Sequence, residues 1–264
     1  MQKRTRRVLF WFAAVVFVVA SWAAILYAQG YAYDFSTRTF VRTGAIAATV
    51  NTNASLYIDT IRVGDTSFLG NRVGKEGVLP GYYNIQITRD QHSVWKKNVV
   101  VQEGQLTDFP NVLILPIDPD SLSSLRREAS SSMQESSVFR GSPIKKMRVE
   151  SGDPALYLVD TALYDARTSS ASMLSDRVLG FTVTRDKSRV VWWTRNEVWV
   201  MWFRNTDQQP YRTEDEQQSI TRFSSPIQGV AWFRDNEHLV VDLGNASYRI
   251  LELDTRGGVN VIKL

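Results

Sequence analysis

GFTVTRDKSRVVWWTRN, residues 180–196, is followed 49 residues later by GVAWFRDNEHLVVDLGN, residues 229–245, and the two align without a gap. Gly180 matches Gly229, Asp186 matches Asp235, Val190-Val191 matches Leu239-Val240, and Asn196 matches Asn245. Each copy divides into four strands. The second runs GVAWF, HLVVDL, YRILELD and VNVIKL, with the turn-type separators RDNE, GNAS and TRGG. The first runs GFTVT, RVVWWT, EVWVMWF and SITRFS, with a long polar insertion from Arg204 to Gln218. A repeated four-stranded unit of about 40–50 residues is the sequence mark of a β-propeller blade. The small residue at each start, Gly180 and Gly229, suits strands that crowd together.

Upstream, ALYLVDTALYD (Ala155 to Asp165) supplies strand material for a partial blade. A propeller closes with about four blades or more. Two complete units and a fragment therefore predict an open, propeller-like double sheet, closure by another chain such as a second copy, or a longer reading frame. The last option is suggested by a final strand reaching Leu264 with no polar cap, which would otherwise be a template for pairing.

The N-terminus carries a different signal. Residues 1–7, MQKRTRR, precede the uncharged run VLFWFAAVVFVVASWAAILYA, residues 8–28. At about 1.5 Å per residue this run spans roughly 31 Å, the thickness of a bilayer's hydrocarbon core. It exceeds a signal-peptide core of roughly 7–15 residues, so a retained signal anchor is expected over a cleaved one. No face of the run is polar, which argues against a buried soluble helix. Lys3, Arg4, Arg6 and Arg7 place the tail in the cytoplasm by the positive-inside rule, and the rest of the chain outside it. Residues 29–42 are then a juxtamembrane segment, and Trp22, Tyr27, Tyr31 and Tyr33 are candidates for an interfacial aromatic belt.

From 43 to 117 short β-favouring runs alternate with turn residues: GAIAATVNT, SLYIDTIRVG, GYYNIQITRD, SVWKKNVVVQEG and TDFPNVLILP. Gly64, Gly70, Gly74, Gly77, Gly81 and Gly104 punctuate them, a rhythm that suits a small β-sandwich. The stretch VLPGYYNIQITRDQHSVWKKNVVVQEGQ, with NVLILP after it, resembles the PEGA domain of bacterial surface proteins. Pro80, Gly81, Tyr83, Trp95, Gly104, Leu113 and Leu115 occupy the family's characteristic places. The Gly-Tyr usual at the second turn is Gln91-His92 here, and no Pro-Glu-Gly-Ala tetrapeptide occurs. The resemblance implies a non-catalytic β-module at or near the cell surface. The repeats in turn resemble WD40-like and TolB-like propeller blades, although only the Asp of a Ser-Pro-Asp-Gly turn remains, as Asp186 and Asp235. Between the two regions, residues 118–150 are serine-rich and read as a linker or as a weakly amphipathic helix. Such a helix would be capped at Asp120 or Ser121, with Leu122, Leu125 and Met133 on one side.

The expected fold class is thus a single N-terminal transmembrane helix followed by an all-β ectodomain. That ectodomain comprises a small PEGA-like β-sandwich and, over 151–264, two propeller-like four-stranded units. The net charge of +4 resides in the tail: the other 27 basic residues balance 27 acidic ones, so no nucleic-acid-binding face is implied. Cysteine is absent, which excludes thiol catalysis, disulfides and cysteine zinc sites. Only His92 and His238 exist, too few for a multi-histidine metal centre. No nucleophile elbow, P-loop, zincin helix or calcium loop appears, and no catalytic, cofactor or metal residue is assigned.

Aromatic rings offer the one candidate ligand surface: Tyr82 and Trp95 in the sandwich, Trp193 and Trp199 in the repeats. Packing is the ordinary use of such rings. His92 beside Asp90 and Gln91 reads as an exposed turn, and Thr213–Glu216 as part of a solvated insertion. The function expected is a non-enzymatic binding or scaffold protein of the cell envelope. It would be held in the bilayer by residues 8–28 and bind an envelope protein or polysaccharide. The alternatives are an envelope carbohydrate hydrolase using a carboxylate pair among Glu197, Asp242 and Glu252, and an assembly or sensor accessory.

Overall fold

The computed structural model describes residues 3–67, 70–136, 144–147, 156–167 and 170–264. Residues Lys3–Ala28 form helix α1. It is long and apolar enough to cross a membrane, and none of its apolar window is buried inside the protein. After a turn at Gln29-Gly30 the chain makes a hairpin of β1 (Tyr31–Asp34) and β2 (Thr39–Arg42). Residues 29–42, expected to be a juxtamembrane segment, therefore hold a β-hairpin.

Seven strands follow: β3 (Gly44–Val50), β4 (Ser55–Ile58), β5 (Ile61–Asp65), β6 (Arg72–Val78), β7 (Gly81–Thr88), β8 (Trp95–Val101) and β9 (Leu106–Val112). They make two sheets, ordered β6-β3-β9 and β5-β4-β7-β8, whose inner faces share one core. Ile46, Ala48, Leu56, Ile85, Ile87, Trp95 and Phe109 lie at its centre. Alternation is the cause: β8 buries every second side chain from Trp95 to Val101, and β7 sends Tyr82 outward and Tyr83 inward.

Two local readings are corrected here. SLYIDTIRVG is not one strand but the hairpin β4–β5, because Asp59 and Thr60 take positive φ (47° and 77°), the backbone of a two-residue turn. The Asp59 carboxylate accepts the Asn84 backbone N–H at 2.8 Å and holds that turn in place. Residues Arg72–Val78, where glycine-marked breaks are expected, form β6. The β3–β9 pairing is parallel.

Among the described residues the C-terminal half contains three four-stranded sheets, where the sequence predicts two and a fragment. The first is β10 (Ile144–Met147), β11 (Leu156–Val159), β12 (Ala162–Asp165) and β13 (Ser172–Ser175). The second is β14 (Gly180–Val183), β15 (Arg189–Trp193), β16 (Glu197–Trp202) and β17 (Gln217–Arg222). The third is β18 (Gly229–Trp232), β19 (His238–Asp242), β20 (Tyr248–Glu252) and β21 (Val261–Lys263). Each is an antiparallel meander in chain order. Strand β10 draws its residues from the segment expected to be linker.

Stacking explains the composition of the repeat. In β15, Val190 and Trp192 join a cluster shared with the first sheet, while Val191 and Trp193 join one shared with the third. A strand buried on both faces reads as a continuous apolar run, hence VVWW. Gly180 is required by that packing: a Cβ there would lie 2.4 Å from the Trp193 indole. The sheets form an open stack, and no closed barrel occurs among the described residues.

The serine-rich segment is helix α2 (Pro119–Ser136) over most of its length. Its cap is Asp118, whose carboxylate accepts the Ser121 N–H at 2.9 Å, with Pro119 in the first turn; neither Asp120 nor Ser121 fills that role. Ser123, Ser131 and Ser132 donate to carbonyls four residues earlier, at 2.9–3.1 Å, so their hydroxyls are satisfied within the helix. Leu125, Ala129 and Met133 then form a stripe that packs on Ala231, Phe233, Val240 and Ile250, the far face of the third sheet. Glu128 pairs with Arg234 at 2.7 Å to fix the register. The helix is a cover, not a spacer. Residues 137–143 and 148–155, the rest of the expected linker and the start of the repeat region, lie outside the described residues.

Candidate functional site

The seam where the second and third sheets meet the sandwich carries a connected set of polar contacts. On β8, alternation points Lys97 inward between Trp95 and Val99, and its side chain has 0% exposure. Its ammonium pairs with the Glu252 carboxylate of β20, donates to the Asp254 carbonyl at 2.6 Å and donates to the Gly258 carbonyl. The second Glu252 oxygen accepts the Trp95 indole N–H at 2.8 Å. Asn260 donates its side-chain amide to the Lys96 carbonyl at 3.0 Å and accepts the Lys96 N–H at 3.1 Å, a strand-like contact between the two β bodies. A buried charge pair is tolerable only when its remaining lone pairs and protons are also satisfied, and here they are.

Arg256 extends the junction. It donates to Asp254 at 2.7 Å, to the Asp108 carbonyl at 2.7 Å and to the Gln209 side-chain oxygen at 2.7 Å, with its guanidinium 4.4 Å from the Phe109 ring centroid. Gln209 belongs to the polar insertion between β16 and β17. Its amide donates to the Leu106 carbonyl at 2.7 Å, and its oxygen accepts the Asp108 N–H at 3.0 Å. The insertion is thereby folded back onto the sandwich.

Beside it opens a recess of about 150 Å³, lined by Asn111 of the sandwich, Asp186, Arg189, Arg204 and Arg212 of the second unit, and Glu237 of the third. Its charges are matched. Arg189 pairs with Glu237 at 2.6 Å, Arg204 with Asp186 at 3.0 Å, and Arg212 with Glu216 at 2.6 Å, the Arg212 guanidinium also resting 4.9 Å from the Trp202 ring centroid. Burial pushes the Glu237 carboxyl above its ordinary value, and Arg189 beside it offsets only part of that. Burial pushes the same way on Asp186, but hydrogen bonds from Ser188 and Thr184 outweigh it and hold that carboxyl below its ordinary value. The Arg189 and Arg212 Nε–H groups are buried without a hydrogen-bond partner. Such a lining suits an oxygen-rich ligand, with many donors and acceptors and little net charge.

The expected ligand surface does not assemble. Tyr82 is 87% exposed on the sandwich, whereas Trp95 and Trp193 are core side chains, at 2% and 6% exposure, and cannot present a ring to a ligand. Trp199 stacks on Trp192 with ring centroids 6.2 Å apart and donates to Glu197 at 3.2 Å. The carboxylates considered for hydrolysis have separate tasks: Glu252 at the seam, Glu197 beside Trp199, and Asp242 accepting the Gly244 N–H at 2.8 Å. His92 donates its Nδ1–H to the Asp90 carbonyl, 2.8 Å away, in a turn. Among the described residues no group of His, Asp and Glu is placed to hold a metal ion. Lys97, Gln209 and Arg256 were not singled out by sequence. Lys97 alone left a signal, a charge on the inward phase of an alternating strand.

No known protein family matches the chain, and no curated protein matches it. Among solved structures, it is similar to a Bacteroides fragilis protein of unknown function whose description connects it with the membrane. The two are 10% identical, with 84% of this chain and 95% of the other covered and a TM-score of 0.21.

Proposed function

We propose that the protein is a membrane-anchored, extracytoplasmic, non-catalytic binding or scaffold protein of the cell envelope. In this reading the sandwich is a PEGA-like module and the three meanders are blade-like units of an incomplete propeller. The observation that carries it is the order of parts: an unburied apolar helix, flanked by Lys3, Arg4, Arg6 and Arg7, leads directly into β bodies locked together by a buried ion pair. Such a build displays a rigid surface at a fixed distance from a bilayer. The recess between the bodies, with paired charges and the amide of Asn111, supports a hydroxyl-rich polymer or a polar protein segment as the ligand.

Binding of purified envelope polysaccharide and envelope protein fractions to the full chain in nanodiscs tests the reading. Saturable retention of one fraction, weakened by Arg204→Ala, is the expected result. Glycan cleavage that disappears in Glu237→Gln would instead establish the hydrolase, since burial pushes this recess carboxyl above its ordinary value, as a general acid requires. Protease digestion of intact cells against lysed ones tests the orientation. Protection of the β bodies even after the outer envelope is permeabilised, lost only when the bilayer itself is lysed, would place them in the cytoplasm and remove the proposal.

A further inference from the structure

The β1–β2 hairpin pairs Tyr33 with Phe40 and Tyr31 with Arg42. It folds back beside α1 instead of leading away from it. The Phe40 ring meets Trp22 edge-on, centroids 5.8 Å apart, and Trp22 lies six residues before the helix end at Ala28. Six residues of helix are about 9 Å. Tyr33 completes a cluster with Phe35 at 5.0 Å and Phe40 at 5.2 Å. These rings lack cover: Phe35 is 85% exposed, Phe40 50% and Trp22 55%.

The hairpin tip is polar but internally satisfied. Asp34 accepts the Ser36 N–H at 2.8 Å, the Ser36 hydroxyl at 2.7 Å and the Thr37 hydroxyl at 2.8 Å. Those hydrogen bonds, the Ser36 side chain foremost, hold its carboxyl below the ordinary value and therefore charged. The other end is tied to the sandwich: Thr43 donates both its N–H and its hydroxyl to the Gly30 carbonyl at 2.8 Å, and the Arg42 N–H donates to Glu103 at 3.0 Å. Exposed rings beside a charged, hydrated tip match neither bulk water nor hydrocarbon. They match the interfacial layer, about 5–8 Å deep on each side of the core, where amphipathic aromatic groups settle.

We propose that the β1–β2 hairpin is a bilayer-interface wedge. Its aromatic cluster, Tyr33, Phe35 and Phe40, enters the headgroup layer of the same membrane that α1 crosses and seats the sandwich against the lipid surface. The occupant follows from continuity, because the cluster is contiguous through Trp22 with the exposed apolar surface of α1. The inference rests on α1 being a membrane span.

The chain has no cysteine, so single-cysteine variants carry one spin label each. Full-length Phe35→Cys, Val16→Cys and Tyr82→Cys are labelled in phosphatidylcholine–phosphatidylglycerol nanodiscs, and relaxation by oxygen is compared with relaxation by a water-soluble nickel chelate. Phe35 and Tyr82 are both exposed side chains, so neither substitution threatens folding. The expected result is an oxygen-to-nickel ratio at position 35 between those of position 16, deep in the bilayer, and position 82, in water, and several-fold above the latter. Equal ratios at 35 and 82, with position 16 still protected from nickel, overturn the wedge and leave the anchor standing. A water-like ratio at position 16 overturns both.

Discussion

Lys97 occupies a position that strand alternation reserves for a core side chain, and the charge survives there because Glu252 and two carbonyls surround it. Removing one partner of such a pair strands the other in a low-dielectric interior. Lys97→Met is expected to cost about 3–5 kcal/mol in chemical denaturation, while Lys97→Met with Glu252→Leu recovers only part of the loss, because the Trp95 indole N–H is left without its acceptor. The turn aspartates make a pH prediction. Asp186 accepts the Ser188 N–H at 3.1 Å, and Asp235 accepts the Glu237 and His238 N–H groups at 2.8 Å each. In both, burial pushes the carboxyl up but is outweighed, by hydrogen bonds from Ser188 and Thr184 at Asp186 and by the His238 imidazole foremost, then these N–H groups, at Asp235, and the folded value falls below the ordinary 3.8. A group depressed in the folded state contributes stability above its unfolded value and loses it as pH falls through the folded one. Denaturation midpoints are therefore expected to drop on acidification below the ordinary carboxylate range, with a shallower drop in Asp186→Ala and Asp235→Ala. An unchanged pH slope in both variants would contradict this.

At the scale of elements, α2 resolves the problem that the last sheet poses. Its strand LVVD has apolar residues on successive positions: Leu239 and Val241 pack toward the second sheet, and Val240 faces the other way, where α2 lies. Leu125 and Ala129 are 4% and 0% exposed in that contact. Leu125→Ala is expected to cost about 2–5 kcal/mol. Hydrogen exchange should show the loss first in β18 and β19, the strands α2 touches, with β7 and β8 of the sandwich unaffected. Exchange that accelerated evenly across both β bodies would show that α2 does not act as a local cover.

For the whole molecule, the question is whether the sandwich and the stack behave as one body. The β20–β21 loop passes so close to β8 that a Cβ on Gly257 would lie 2.2 Å from the Asn98 carbonyl oxygen, at a φ of +63° that other residues rarely adopt. Gly257→Ala is therefore expected to lift the loop and break the Asn260–Lys96 contacts. In calorimetry the intact chain should unfold in one transition, and the variant in two. One transition in both would mean that the Lys97–Glu252 pair and the Arg256 and Gln209 contacts suffice to couple the bodies.

Legible in the sequence alone were the apolar N-terminal helix, the β character of most of the remainder and the four-strand make-up of each copy of the 49-residue repeat, although the last strand of the first copy begins two residues earlier than read, at Gln217. Each of these is a local periodicity, written in residues next to one another. The complete β10–β13 meander, the covering role of α2, the fold-back of the β1–β2 hairpin and the seam around Lys97 were decided only in three dimensions. Lys97 and Glu252 stand 155 positions apart, and no pattern in a linear chain says that a lone buried cation will meet its anion across two separately folded sheets. Trp95 and Trp193 make the same point from the other side: a ring that looks available in sequence is committed once a second sheet closes over it, because burying its apolar area is worth more than leaving it in water.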